Sequence, residues 1–163
     1  MVVQSRAPVR PADLDLGYLA LFVGLRMNEC VLEKLTTRGF SETRQGHGYV
    51  IQHLIEAERT ITELAARMEV TQQAASKMVS EMANLGIVEM SGSEDRRAKR
   101  VTLSARGWES VKQARKVRAS IEKRLAKVLG ALEYQVAKTT LLQALDALGG
   151  LERVRTRRVR MTP

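Results

Sequence analysis

The stretch Val70-Thr71-Gln72-Gln73-Ala74-Ala75-Ser76-Lys77-Met78-Val79-Ser80-Glu81-Met82-Ala83-Asn84 decides the fold. Its apolar members Val70, Ala74, Met78 and Met82, with Leu85 just beyond, recur at three- and four-residue intervals, the period of one face of an α-helix. The opposite face holds Gln72, Gln73, Ser76, Lys77 and Ser80. A helix that only meets water would carry Glu and Lys there. Amides and hydroxyls in the first turns suit hydrogen bonding to base edges and phosphates. The residues on either side must say how that face is presented.

Upstream, Ile61 is expected to add a short strand, Thr62 to cap a helix from Glu63 to Met68, and Glu63 to sit favourably in its first turn. Glu69 and Val70 then join it to the polar-faced helix, which is helix-turn-helix spacing. Thr71 caps the second helix, whose free N–H groups and positive dipole end suit a phosphate. Downstream, Gly86 ends the helix and Ile87-Val88-Glu89-Met90 reads as a short strand. Ser91-Gly92-Ser93 supplies turn chemistry, Glu94-Asp95-Arg96-Arg97 forms a tip, and Lys99, Val101 and Leu103 alternate with Arg100 and Thr102 on the returning strand. Taken alone, such a hairpin is a solvated projection. Beside a polar-faced helix, its arginines suit a narrow, negatively charged minor groove.

The flanks are long and apolar. From Leu14 to Leu35, residues Leu14, Tyr18, Leu21, Leu25, Leu32 and Leu35 form a seam with Asn28 in register, and Leu19, Val23, Met27 and Cys30 form a second stripe. One small domain does not cover that much surface, and a second copy would. Asn28 either sets register in such a seam or is exposed and idle. Gly39 then stops the helix and Ser41 is expected to cap another from Glu42 to Glu56, in which Gly46 and Gly48 signal close packing or local looseness. Ser104 caps a helix to Leu129 carrying Trp108, Val111, Val117, Ile121, Leu125 and Val128. Gly130 interrupts, and a helix from Leu132 to Leu148 ends at Gly149-Gly150. The tail from Leu151 to Pro163, with Arg153, Arg155, Arg157, Arg158 and Arg160, is expected to be a solvated end, with DNA phosphates as its alternative contact.

Composition narrows the function classes. The 163 residues carry a net charge of +9 and a pI near 10.2, as nucleic-acid-binding domains do. An aromatic content of 4% leaves a basic membrane anchor without its Trp and Phe, and an RNA binder without a stacking platform. The apolar run from Leu16 to Leu25 is too short for a bilayer, and Met1 to Pro11 lacks an apolar core, so neither span nor export signal is expected and the location is expected to be cytoplasmic. Cys30, the single cysteine, excludes an internal disulfide. His47 and His53, six apart, do not share a helical face as i, i+4 ligands would. No nucleophile with its base, paired carboxylates or phosphate-cradling glycine loop is found, so neither an enzyme nor a cofactor is expected.

Together, Thr62-Glu63-Leu64-Ala65-Ala66-Arg67-Met68, Val70 to Lys77, Leu85-Gly86-Ile87-Val88, Asp95-Arg96-Arg97 and Leu103-Ser104-Ala105-Arg106-Gly107 resemble the winged-helix region of the MarR family of bacterial regulators. The resemblance covers the middle third of the chain. Outside it, only the order of helices matches. It implies a mainly α fold, a winged helix-turn-helix at residues 39–104, between an N-terminal lead-in and dimerisation helix at 1–38 and C-terminal dimerisation helices at 105–150, with a basic tail at 151–163. It also implies a symmetric homodimer on a pseudo-palindromic site in double-stranded DNA. By motif match, Gln72, Gln73, Ser76 and Lys77 enter the major groove, Thr71 and Ser80 contact phosphates, Arg97 lies in the minor groove with Asp95 orienting the wing, and Arg96 and Lys99 add charge beside it. Many relatives release DNA on binding a small aromatic or phenolic effector between dimer arm and winged lobe, a place near Tyr18, Phe22, His47 and His53, although ordinary packing accounts for all four. Others sense oxidants through a cysteine near the start of the first helix, whereas Cys30 is well along it and reads as an inert buried thiol. Glu69 departs from the glycine common at this turn. If the turn needs positive φ, Glu69 strains it by about 1–2 kcal/mol. The expected function is a ligand-responsive transcriptional repressor, with a non-enzymatic adaptor that uses the winged lobe for protein contacts as the alternative.

Overall fold

The computed structural model describes residues 10–92 and 99–156. Asp15 opens the first helix, α1 (Leu16–Thr36), its carboxylate accepting the Tyr18 N–H at 2.9 Å. Gly39, at φ 87°, turns the chain so that the Phe40 N–H returns to the Leu35 carbonyl at 3.0 Å. The next helix, α2 (Gln45–Leu54), begins three residues later than expected and is not capped by Ser41. Residues 40–43 are held in a turn by the Thr43 N–H on the Phe40 carbonyl, and the Arg44 N–H donates to His47 Nδ1 at 3.2 Å where α2 begins. Gly48 does not mark close packing, since a Cβ there would meet nothing within 4 Å.

The strand β1 (Arg59–Thr60) runs directly into α3 (Ile61–Met68). Thr60, not Thr62, is the cap. Its hydroxyl accepts the Glu63 N–H at 3.2 Å while the Glu63 carboxylate accepts the Thr60 N–H at 2.7 Å, a reciprocal box that places Ile61 in the first helical turn and not in the strand. Next comes α4 (Gln72–Asn84), then β2 (Val88–Ser91) and β3 (Arg100–Leu103). The three strands form an antiparallel sheet in the order β1-β3-β2, with Arg59 opposite Val101 and Val88 opposite Leu103. Ser104 leads into α5 (Ala105–Leu129), followed by α6 (Ala131–Ala147) and a short α7 (Leu151–Arg155). The start of the tail is therefore helical and not a loose end.

The core lies where α2, α3 and α4 meet the sheet, with Val50, Leu64, Met68, Val79, Met82 and Val101 sealed from solvent. Within α4 the buried stripe is Ala75, Val79 and Met82, while Ala74 and Met78 sit half-buried at its edge. The stripe is turned by a residue from the expected one because α4 packs against three elements, α3, α2 and β2. The junction of wing and α5 is tighter still. The Ser104 hydroxyl donates to the Gly86 carbonyl at 2.5 Å and accepts the Gly107 N–H at 2.9 Å, and a Cβ on Gly107 would lie 2.1 Å from the Ile87 carbonyl oxygen.

Away from this core the chain is apolar and uncovered. Leu16, Tyr18, Leu21, Phe22 and Val23 of α1 are exposed, as are Val128 and Leu132, each at 72%, around the Gly130 break. Asn28 is not idle: it accepts from the Arg118 guanidinium at 2.8 Å, which ties α1 to α5, and Arg38, just after α1, donates to Gln113 of α5. Cys30 is half-buried and not enclosed as expected.

Candidate nucleic-acid interface

The helix-turn-helix is built from caps and one strained residue. Glu69 closes α3 in the left-handed region at φ 56°, ψ 38°, alone among the described non-glycine residues in having positive φ. Its N–H and that of Val70 return to α3 carbonyls. The reversal lets Thr71 take an extended conformation and cap α4, with its hydroxyl accepting the Ala74 N–H at 3.1 Å. The first N–H groups of α4 thus face outward at an exposed helix end.

The candidate residues of α4 divide into two groups. Gln73, Lys77 and Ser80 are exposed on the strip opposite Ala75, Val79 and Met82. Asn84 extends that strip at the same i, i+4, i+7, i+11 spacing, a signal present in the sequence that the candidate set did not use. Ser76 is half-buried beside it. Gln72 is exposed, but its amide nitrogen donates to the Thr62 hydroxyl at 3.0 Å, so it braces α4 against α3. Lys77 supplies the cation of the strip. On the wing side, Lys99 is half-buried where it enters β3, and Arg100 Nε lies 3.4 Å from Glu58 Oε1. Asp95, Arg96 and Arg97 lie outside the described residues, as do Arg157, Arg158 and Arg160.

The four candidate effector residues do not converge within one chain. Tyr18 and Phe22 stack with ring centroids 6.5 Å apart on the exposed half of α1. His47 and His53 are buried in α2. A cleft of about 190 Å³ instead opens between α1, α2 and α5, with Val31, Ile51 and Val111 on its walls and Arg44, Arg115 and Arg118 among its polar residues. None of the four lines it. No group of three His, Cys, Asp or Glu side chains among the described residues is placed to hold a metal ion. No described helix is long and apolar enough to cross a membrane.

Residues 43–98, which run from the approach to α2 to beyond β2 and stop short of β3, match the MarR family. Over those residues the lobe is similar to a MarR-family winged helix. Solved structures extend the likeness of fold over more of the chain. MepR, described as a transcription regulator of the Staphylococcus aureus multidrug efflux pump MepA, superposes with a TM-score of 0.66 at 18% identity, covering 83% of this chain and 99% of its own. The reduced form of MarR from E. coli gives 0.67 at 22%, covering 81% and 97%. YusO from Bacillus subtilis gives 0.62 at 23%, covering 82% and 93%. Among curated proteins none matches the chain. The sequence resemblance to the MarR family and the mainly helical winged fold expected from it are both borne out.

Proposed function

We propose that the chain is a sequence-specific DNA-binding transcription regulator, acting in the cytoplasm as a homodimeric repressor on a pseudo-palindromic operator. One observation carries the reading: α4 presents an exposed, nearly uncharged polar strip, Gln73, Lys77, Ser80 and Asn84, from a helix whose capped N-terminus is free. Gln73, Ser76 and Lys77 read bases, Thr71 and Ser80 hold phosphates, and Gln72 contributes by fixing the angle between α3 and α4. The wing cations Arg96, Arg97 and Lys99 supply the attraction that one lysine on α4 does not, with Asp95 orienting the wing arginine. A variant of MepR has been crystallised with an oligodeoxyribonucleotide, which supports the same use of this fold.

Dimerisation accounts for the uncovered apolar surface. In this reading the arms at 1–38 and 105–150 hold two lobes so that their recognition helices enter successive major grooves about 34–36 Å apart. The α1/α2/α5 cleft, apolar-walled with arginines around it, suits a small aromatic anion, and Tyr18 and Phe22 meet such a ligand only from a second copy. Selection of bound duplexes from a random DNA pool, repeated with phenolic acids present, tests the whole reading. It predicts an enriched inverted repeat whose recovery falls with a ligand. A pool that stays random overturns sequence-specific regulation and favours the protein-binding adaptor.

A further inference from the structure

His47 occupies the third position of α2 and is 2% exposed. Its Nδ1 accepts the Arg44 backbone N–H at 3.2 Å, so in the neutral ring the proton resides on Nε2. That Nε2 is sealed from solvent and makes no hydrogen bond. It points toward Glu81 Oε2 on α4, at 3.7 Å, beyond hydrogen-bond reach. Arg44 Nη1 approaches the same carboxylate oxygen at 3.8 Å. Arg44, His47 and Glu81, with Glu42, Asn84 and Leu85, line a cleft of about 220 Å³ between α2 and the recognition helix. The charged groups around the imidazole are therefore Glu42 and Arg44 from the segment before α2, and Glu81 from α4.

We propose that His47 is a proton-sensitive latch between α2 and the recognition helix: on taking a proton from solvent it releases the Arg44 N–H and turns its charge to Glu81. The protonated ring has two donors and no acceptor, so its Nδ1–H opposes the Arg44 N–H and the bond at the start of α2 is lost. Positive charge at a helix N-terminus opposes the dipole, which loosens the same turn further. The gain is on the other side, where a neutral contact with Glu81 becomes an ion pair. Mild acid therefore weakens the start of α2 while drawing on one flank of α4. Arg44 lines both this cleft and the α1/α2/α5 cleft, so the start of α2 borders the two together.

The electrostatics set the direction. Burial holds the imidazole below its ordinary value of 6.5, Glu81 pulls it upward, and Arg44 adds to the lowering. A folded-state value below the unfolded one means the stabilising contribution is complete above about pH 6.5 and is lost as pH falls through the lower folded value.

The test uses the full chain, which has two histidines, so two imidazole signals followed by NMR from about pH 8 to pH 5 report both rings. His47 is expected to titrate below 6.5, with the Arg44 and Glu81 amide signals moving along the same curve. Glu81→Gln, which removes the attracting carboxylate, should push that titration lower. His47→Gln keeps an acceptor for Arg44 and does not titrate. Affinity for a duplex selected from the random pool should fall about fivefold more in wild type than in His47→Gln between about pH 7.5 and 5.5 at fixed salt, the factor expected for one lost cap. Arg44 and Glu81 amides that ignore the His47 titration overturn the latch, as does an equal loss of affinity in His47→Gln. The affinity arm rests on the regulator reading. A chain that binds no DNA at any pH refutes that reading, while the amide signals still decide the latch.

Discussion

Replacing Glu69 tests the turn that sets α4 against α3. An L-residue in the left-handed region costs about 1–2 kcal/mol, and Glu69 sits there at φ 56°, ψ 38°. Glycine relieves that cost but gives the unfolded chain back about 0.4–1 kcal/mol of conformational freedom. Glu69→Gly alone would mix this with the loss of a negative charge at the C-terminal end of α3, where the dipole disfavours it. Glu69→Ala removes the same charge and keeps the Cβ, so the difference between the variants isolates the backbone. That difference should be about 0.5–1 kcal/mol in favour of glycine. Urea unfolding followed by circular dichroism, at one protein concentration for both variants, should place the glycine midpoint higher by about 0.3–0.5 M at equal slope. Both variants lose one acid, so their DNA affinities should agree. A glycine variant no more stable than the alanine variant would refute the strain. Equal stability with unequal DNA affinity would place Glu69 in the interface itself.

Ser104→Ala removes the two side-chain bonds at the junction of wing and α5 and should cost about 2–3 kcal/mol in the same urea assay; a loss under about 0.5 kcal/mol would contradict the junction. Gly107→Ala forces a Cβ against the Ile87 carbonyl and should cost about 1–3 kcal/mol, visible as a lower melting temperature. Lys77→Ala, which removes both a base contact and a cation, should change the selected sequence and reduce the slope of log affinity against log salt by about one, whereas Gln73→Ala should change the selected sequence and leave that slope alone. The Thr60 N–H holds the Glu63 carboxyl below its ordinary 4.5, so its stabilisation is present above that pH and is lost as pH falls through the lower folded value. Glu63→Gln should make the acid limb of the stability curve shallower, and an unchanged limb would count against the capping box.

What the sequence made legible was the local chemistry with a single solution. Thr71 and Ser104 are the hydroxyls placed to cap their helices, and both do so. The turn at Glu69 was legible only as a condition, and the structure meets it with positive φ at that residue. The errors arose where two local solutions competed. Thr60 and Thr62 are both good caps, and the pairing of Thr60 with Glu63, together with β1 ending at Thr60, selects the earlier one. At α2, Ser41 lost to a turn closed from Phe40, and a histidine nitrogen, absent from the usual set of capping groups, met the helix start. The α4 stripe follows contacts from three elements that no periodicity within α4 encodes. The candidate site was readable as a list, because polar residues at helical spacing reveal a face. Its division was not: the bond from Gln72 to Thr62 and the approach of His47 to Glu81 depend on how separate helices pack.

The central claim, that α4 reads DNA from a dimer, is tested most directly by titrating the chain into the duplex selected from the random pool and into a scrambled duplex across a range of salt. The account predicts two protomers per selected duplex, half-sites one helical turn apart, a preference of at least about 10³-fold over the scrambled duplex, and a log–log salt slope near −7 for about 8 neutralised phosphates. Equal affinity for both duplexes at every salt concentration, or binding of a single protomer, would contradict it.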